Sequence, residues 1–441
     1  MNLAQYDSIP HTLDAAYEDV QEGMSTAYGV ARTSVLYVRV MDSCPNDSAF
    51  ADIAQEMQNP HQLVCTPEYL HRKRAFGIWS LPNYSTSTSQ KIEERLKYIS
   101  NYYEDAVERY GWYGFWNYGD VMHQFDAARG EWRYDVGGYA WDNTELASNM
   151  LFWYDFLRTG DVGMWRMAEA MTRHTGEVDV YHMGSNSMLG SRHNVSHWGC
   201  GAKEARISQA AWNRFYYYLT ADERCGDLMR EVTDADQKLY TLDPMRLAQP
   251  RGLFPCTAPA RLRIGPDWLA YAGNWMTEWE RTKNPKYRDK IIAGMKSIAA
   301  LRHGIFSGPK ALGFDPATGI ITNECDSTLQ NTNHLLPIMG GFEVMNEMME
   351  MIDLPEWRKT WLTHARDYKR KALEISNNHF LIPRLSAYAG WLIPSEEHIN
   401  TAWHDLLRFE RQGGTTAPVQ STNDAATWTL DAIFMQEVCP R

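Results

Sequence analysis

The chain repeats one unit: an aromatic-rich segment, a short polar turn and a second, amphipathic segment. Such turns occur at residues 157–165, 219–228, 281–290, 352–361 and 393–403. The first four recur about every 60 to 70 residues, a period that suits helical hairpins joined by long loops. Apolar residues at three- and four-residue spacing, as at Ile92, Leu96 and Ile99, predict that the units are helical.

The two segments of each unit differ in how they distribute apolar side chains. The first is apolar on more than one side, as in LASNMLFWYDF (146–156), whereas the second is half polar, as in KYRDKII (286–292). Helices buried all round beside amphipathic helices indicate an inner and an outer ring. The predicted fold is therefore an all-α (α/α)n toroid of roughly six hairpins, counting the helix at 91–110 but with no sixth inner helix identified.

The first 64 residues follow another pattern. GVARTSVLYVRVMD (29–42) is rich in β-branched residues and is typical of one or two strands. A lone strand is not stable, so this segment is expected to dock on the toroid or to pair with other strands. We therefore expect two parts: residues 1–64, the remnant of a β domain, and residues 65–441, the toroid.

Composition excludes several classes of function. A formal net charge of −12 disfavours nucleic acid as a partner, and no run of about 18 apolar residues could cross a membrane. The opening MNLAQYDSIPHTLD lacks the basic and apolar regions of a secretory signal, so none is expected in the chain as given. The 17 Trp and 24 Tyr exceed the needs of a core and suit stacking on sugars.

The long connections between hairpins are the expected place for function. In a toroid, short turns gather at one end and long outer-to-inner loops at the other, where binding groups concentrate. The polar and aromatic clusters of the chain fall on these loops, at residues 117–126, 131–145, 190–206, 261–268, 323–334 and 377–388. The site is therefore predicted at the long-loop end.

One of these loops, GSRHNVSHWGCGAKEAR (190–206), raises the question of a metal. His193 and His197 lie four residues apart, a spacing that can bind zinc on a helix. The stretch lacks an H-E-x-x-H pattern and is interrupted by glycines, which predicts a loop without a transition metal. No cofactor is expected except Ca²⁺, left open for Asp135, Asp142 or Glu145.

Without a transition metal, the remaining type of reaction is acid–base chemistry on a sugar, which can follow either of two routes. Hydrolysis needs a pair of carboxylates, which Asp142, Glu145 and Glu204 could supply. Elimination from a uronate needs a group that neutralises its carboxylate, a base and an acid. Because an acidic protein needs a local positive cluster to hold a polyanion, elimination is favoured by the arginines in or beside the long loops: Arg192, Arg206, Arg251, Arg261, Arg263 and Arg384.

Five blocks of the sequence stand out: YGFWNYGDVMHQFD, RYDVGGYAWDNTELASNM, MAEAMTRHTGEVDVYHMG, RHNVSHWGCGAKEARIS and FYYYLTADERCGDLM. They resemble the corresponding blocks of the exo-type unsaturated rhamnogalacturonan lyases, polysaccharide lyase family 26, and their bacterial relatives. The resemblance spans residues 25–410 and is tightest over 113–229. It implies β-rich domains ahead of a C-terminal α/α toroid, and lyase activity on the rhamnose–galacturonate backbone of pectin.

The chemistry predicts two groups of site residues. The catalytic group, for proton transfer and carboxylate neutralisation, is Arg192, His193, Asn194, His197 and Tyr139. The substrate-binding group is Trp116, Trp141, Asn143, Glu145, Trp198, Glu204, Arg206, His334, Arg384 and Tyr388. The expected partner is an acidic oligosaccharide or polysaccharide. A glycoside hydrolase of uronic-acid oligosaccharides and a non-catalytic carbohydrate-binding toroid remain open, as does a purely structural role for each residue.

Overall fold

Helices dominate the computed structural model, which describes residues 23–192, 194–245, 252, 255–308, 311–322, 330–375, 381–408 and 414–441. In chain order they are α1 (Asp47–Gln58), α2 (Pro67–Arg72), α3 (Ser87–Tyr110), α4 (Ser148–Thr159), α5 (Val162–Glu177), α6 (Ala210–Thr220), α7 (Glu223–Glu231), α8 (Leu269–Thr282), α9 (Pro285–Ala300), α10 (Phe342–Met351), α11 (Pro355–Ile375), α12 (Pro383–Leu392), α13 (Glu396–Leu407) and α14 (Thr422–Val438).

Two rings of helices surround one core. The inner helices α4, α6, α8, α10, α12 and α14 are buried over most of their length, whereas α3, α5, α7, α9, α11 and α13 bury one face. The ring closes because α14 packs against both α12 and α4. This arrangement confirms the predicted toroid. The sixth inner helix, absent from the prediction, is α14.

Three of the short inner-to-outer turns share one hydrogen-bonding pattern. The Thr159 hydroxyl donates to the Asp155 carbonyl at 2.6 Å and accepts from the Asp161 N–H at 3.1 Å. The Asp161 carboxylate then caps α5 by accepting from the Met164 N–H at 3.1 Å. The pattern recurs at 220–222 and 282–284. The residue between the two polar groups has left-handed φ in each turn, at Gly160, Ala221 and Lys283.

Short antiparallel strands occur in the long loops. They are β1 (Phe125–Asp126), β2 (Glu131–Trp132), β3 (Gly190–Ser191), β4 (Lys203–Glu204), β5 (Ala260–Leu262), β6 (Leu312–Phe314) and β7 (Ile321–Thr322). Strand β1 pairs with β2, β3 with β4, and β6 lies between β5 and β7. These pairings fold the long loops over one end of the ring.

The strand predicted within residues 29–42 is not formed. Residues 30–41 have no ladder partner among the described residues, and Leu36, Val38 and Val40 are largely exposed. The sequence pattern reports only β-propensity, and a strand also needs a neighbour to satisfy its backbone groups. Across the described ranges, no helix combines the length and apolar character needed to span a bilayer.

Replacement of Asp161 with Ala tests the turn pattern. The variant loses the N-cap of α5, so its free energy of unfolding should fall by about 1 kcal/mol. Asp161→Asn keeps a side-chain acceptor and should retain most of the stability. Urea denaturation followed by circular dichroism measures both, and an Ala variant as stable as the wild type would show that the cap contributes nothing.

The buried His364 on α11 makes a second test possible. Its ring packs against Phe306, Trp361 and Tyr368, and neither ring nitrogen has a hydrogen-bond partner in the described chain. Burial lowers the pKa of His364 from 6.5 to about 3, so between these values the unfolded state binds more protons than the folded state.

Stability should therefore fall as the pH drops below 6.5, and His364→Leu should remove that part of the loss. From pH 7 to pH 5, the free energy of unfolding of the wild type should fall by about 2 kcal/mol more than that of His364→Leu. The exposed His61, replaced by Leu, serves as the control. An equal acid sensitivity of wild type and His364→Leu would contradict the assignment.

Candidate functional site

The 190–206 stretch forms one wall of the long-loop end. Strands β3 and β4 pair at its ends, which makes it a hairpin loop and not a helix. It is tied to the 111–147 loop because Asn143 Nδ2 donates to the carbonyls of Ser191 at 2.9 Å and His197 at 2.8 Å. The Trp141 N–H donates to the Asn194 carbonyl at 3.1 Å. Asn143 and Asn194 are buried, so in this structure they position loops and do not face a substrate.

A buried group beneath this wall joins Asp120, His174, Asp179 and His197, here termed the His–Asp cluster. His174 Nε2 lies 3.0 Å from Asp179 Oδ1 and 3.7 Å from Asp120 Oδ2. His197 Nδ1 lies 3.4 Å from Asp120 Oδ2 and 3.6 Å from Asp179 Oδ1. Asp120, His174 and His197 also form a group that could hold a metal ion. His197 is only 1% exposed, so it lies below the surface of this wall, and its role in proton transfer stays a prediction.

Burial sets the protonation of the His–Asp cluster. Desolvation lowers the pKa of His174 to about 4 and also lowers the pKa of His197, with the neighbouring His174 as a further cause. Desolvation, together with the carboxylate of Asp120, raises the pKa of Asp179. Both imidazoles are therefore neutral near pH 7 and lend no positive charge to the buried carboxylates.

A second group, Arg133, Tyr139, His123 and Asp142, lies closer to the surface. His123 Nδ1 is 3.3 Å from Asp142 Oδ1, and the other Asp142 oxygen accepts from the Ser148 hydroxyl. The rings of His123 and Tyr139 stack at 6.3 Å, and the Arg133 guanidinium lies 5.2 Å from the Tyr139 ring centre. Burial raises the pKa of Asp142. The group thus places a guanidinium, a phenol and an imidazole that is paired with a carboxylate next to one another.

Sequence reasoning named Tyr139 in this group but not His123. The histidine lies in the 117–126 loop, which the sequence marked as a rim loop only as a whole. The sequence did contain a signal for His123 as a site residue, since the loop carries a His and an Asp among aromatic residues. The pairing of His123 with Asp142 needs the fold, because β-type pairing of 122–124 with 139–141 brings the two loops together.

The arginines of the rim form a chain of alternating charge, here termed the rim ion chain: Arg192, Glu145, Arg206, Glu204, Arg263 and Asp267. Arg206 Nη1 lies 3.1 Å from Glu145 Oε1 and also contacts Glu204. Arg263 Nη2 lies 3.3 Å from Glu204 Oε1 and 2.7 Å from Asp267 Oδ1. The arginines of the rim ion chain are therefore not surrounded by positive charge alone, because each of them faces a carboxylate.

Aromatic side chains at this end divide into exposed and buried ones. Trp116 is 37% exposed and Trp198 is partly exposed, and their rings meet edge to face at 5.5 Å. Trp141 is buried, with its ring 5.1 Å from that of His197 and 6.2 Å from that of Trp112. Trp116 and Trp198 are accessible, and their stacking on a sugar stays a prediction. Trp141 packs in the interior in this structure.

Two residues predicted to bind substrate lie inside the ring. Arg384 is 0% exposed, lies 2.7 Å from Asp431 Oδ1 and donates to the Pro337 carbonyl at 2.8 Å. Tyr388 packs against Phe342 at 5.7 Å between ring centres. Both side chains are covered by the packing of the inner ring in this structure, and their contact with substrate stays a prediction.

The remaining predicted residues have mixed outcomes. His193 and Arg251 lie outside the described residues. His334 is partly buried, and burial lowers its pKa; its role stays a prediction. The carboxylates considered for Ca²⁺ do not converge, because Asp135 pairs with Arg129 at 2.9 Å, Asp142 with His123, and Glu145 with Arg206.

Comparison with known proteins shows which family this chain resembles. A family model described as PcRGLX-like protein C-terminal alpha/alpha toroid domain matches residues 60–441, and the PcRGLX-like protein central beta sandwich domain matches residues 1–55. The uncharacterized protein YetA of Bacillus subtilis (strain 168) is 39% identical over 99% of this chain and 53% of its own length. The chain thus spans about half the length of that curated relative.

A solved structure also matches, that of the unsaturated glucuronyl hydrolase responsible for the degradation of glycosaminoglycan from Bacillus sp. GL1. It is 14% identical, covers 79% of this chain and 96% of its own, and has a TM-score of 0.47. The family matches confirm the resemblance carried by the five sequence blocks. The chain therefore belongs to the PcRGLX-like protein family, and residues 60–441 match its C-terminal alpha/alpha toroid domain.

Proposed function

We propose that this protein is a polysaccharide lyase that cleaves rhamnogalacturonan-type, uronate-containing chains by β-elimination. The observation that carries the proposal is the group of Arg133, Tyr139 and the His123–Asp142 pair at the long-loop end. Elimination needs a cation for the uronate carboxylate, a base and an acid, and this group contains one of each. Membership of the PcRGLX-like family supports the substrate class.

Each side chain has a defined part in the proposed reaction. Arg133 neutralises the carboxylate of the uronate, which makes the proton on C5 more acidic. His123 donates Nδ1–H to Asp142 and takes the C5 proton at Nε2. The electron pair of the broken C5–H bond forms the C4=C5 double bond while the C4–O bond breaks. The departing oxygen keeps that bond's electron pair and receives a proton from the Tyr139 hydroxyl.

Arg133 suits carboxylate binding better than the arginines of the rim ion chain. Its closest ion contact, to Asp126 Oδ2, is 4.0 Å long, and its side chain is 29% exposed. That contact is made by the buried Nε, so the exposed part of the guanidinium can receive a second carboxylate. Trp116 and Trp198 add a surface on which neighbouring sugar rings can stack.

The carboxylates considered for hydrolysis have less freedom to act. Glu145 and Glu204 are both buried and both contact Arg206, which stabilises their ionised forms. A hydrolase needs one protonated carboxyl group beside the leaving oxygen and a second that reaches water or the sugar. Asp142 is completely buried behind His123. The described geometry therefore supports elimination over hydrolysis.

Incubation of the full chain with rhamnogalacturonan oligosaccharides tests the reaction type. Elimination creates a conjugated uronate, so ultraviolet absorbance and reducing ends should rise together. New reducing ends without new absorbance would mean hydrolysis. No change in either signal, together with sugar binding by calorimetry, would mean a carbohydrate-binding toroid, and both of these results would contradict the proposal.

Two single replacements test the assigned roles. Tyr139→Phe and His123→Ala should each lower kcat by about 10²- to 10⁴-fold, the usual effect of losing a general acid or base. The controls are Tyr84→Phe and His61→Ala, because both side chains are exposed and lie outside the site. Thermal unfolding shows whether the variants stay folded. Full activity in both site variants would remove this group from the mechanism.

A further inference from the structure

We propose that the His–Asp cluster binds a single divalent transition-metal ion, for which Zn²⁺ is the best fit. The ligands would be Asp120 Oδ2, His174 Nε2 and His197 Nδ1, with the Asp179 carboxylate beside them. The three ligands come from three separate segments: the 111–147 loop, the end of α5 and the 190–206 loop. The ion would fasten both loops of the long-loop end to the outer ring.

The distances between these atoms suit a small ion. Zinc binds imidazole nitrogen and carboxylate oxygen at roughly 2.0–2.2 Å, so tetrahedral ligands lie roughly 3.3–3.6 Å apart. The four nitrogen–oxygen separations in the cluster are 3.0, 3.7, 3.4 and 3.6 Å. The donor atoms of Asp120, His174 and His197 all lie within 4.8 Å of one another. Asp179 is not part of this three-residue group, so it would have to move to become a fourth ligand.

His197 has acceptor oxygens beside both ring nitrogens. Nε2 lies 3.0 Å from Asn117 Oδ1, and Nδ1 lies 3.0 Å from Asn143 Oδ1, 3.4 Å from Asp120 Oδ2 and 3.6 Å from Asp179 Oδ1. The Asn143 amide keeps its orientation because its Nδ2 donates to two carbonyls. A neutral imidazole carries only one ring proton, so with the proton on Nε2 the lone pair of Nδ1 would be available to a cation among these oxygens.

Charge gives the second argument. Asp120 and Asp179 are both buried, and Asp179 Oδ2 has no hydrogen-bond partner in the described chain. Buried carboxylates are costly unless they are paired or coordinate a metal. A divalent ion can balance the charge of carboxylates and bind imidazole nitrogens at the same time.

The surroundings supply the hydrogen bonds that metal ligands usually need. Asp120 Oδ1 accepts from the Val121 N–H at 2.8 Å, and Oδ2 accepts from the Asn143 N–H at 3.1 Å. Asn117 Oδ1 lies 3.0 Å from the distal nitrogen of His197 and would accept its proton in the metal-bound form. Outer contacts of this kind orient ligands and strengthen metal binding. The proposed ion is separate from Arg133, Tyr139 and His123, so this proposal does not depend on the proposed lyase reaction.

Metal titration of the full chain tests the proposal without an activity assay. The protein is dialysed against a chelator and then titrated with Co²⁺ or Zn²⁺. We expect one ion per chain by elemental analysis, visible absorption of tetrahedral Co²⁺, and a rise in Tm of roughly 2 °C or more with Zn²⁺. The metal content of the protein as purified gives a second measurement if the metal-free protein does not stay folded.

Matched variants separate the site from surface binding. Asp120→Asn and His174→Gln should weaken Co²⁺ binding at least tenfold and lose the tetrahedral spectrum. His182→Gln is the control, because His182 also follows α5 closely but pairs with Glu231 at 3.0 Å, outside the cluster. Wild-type protein that neither contains nor takes up metal would overturn the proposal, as would tetrahedral Co²⁺ binding that survives both cluster variants. Either result would mean that protons shared among the four side chains, and not a metal ion, balance the charge of the buried carboxylates.

Discussion

The hydrogen bonds at the start of α14, the helix whose packing closes the ring, also hold the candidate site. The N–H of Thr422, the first residue of α14, donates to the His123 carbonyl at 3.0 Å, and the Phe125 N–H donates to the Gln420 carbonyl at 2.8 Å. The Thr422 hydroxyl donates to the Met122 carbonyl at 2.6 Å and accepts from the Tyr103 hydroxyl at 2.9 Å. The last helix therefore fixes the loop that carries His123. Ring closure and site geometry rest on the same contacts.

Much of the fold is predictable from sequence because the repeated turn has a local cause. Thr159 and Asp161 complete a hydrogen-bonding pattern within a few residues, and the same pattern marks the turns at 220–222 and 282–284. The sixth inner helix escaped prediction because α14 is buried nearly all round. A helix without a polar stripe leaves no amphipathic period to detect.

The site is less predictable because its contacts are distant in sequence. The sequence correctly marked 131–145 and 190–206 as rim loops, and the structure joins them through Asn143. It paired His197 with His193 by spacing, whereas the described neighbour of His197 is His174 on an outer helix. Residue type and spacing show which groups are present. Only the packing of α5 against the loops decides which of them meet.

The rim ion chain also constrains how this surface can change during evolution. Arg206 lies between Glu145 and Glu204, so loss of any one of the three leaves a buried charge uncompensated. Such positions change most easily in pairs, with a charge and its partner replaced together. In this protein family, Glu145 and Arg206 should therefore covary. The alternation of positive and negative side chains along the rim should be conserved more strongly than the individual residues.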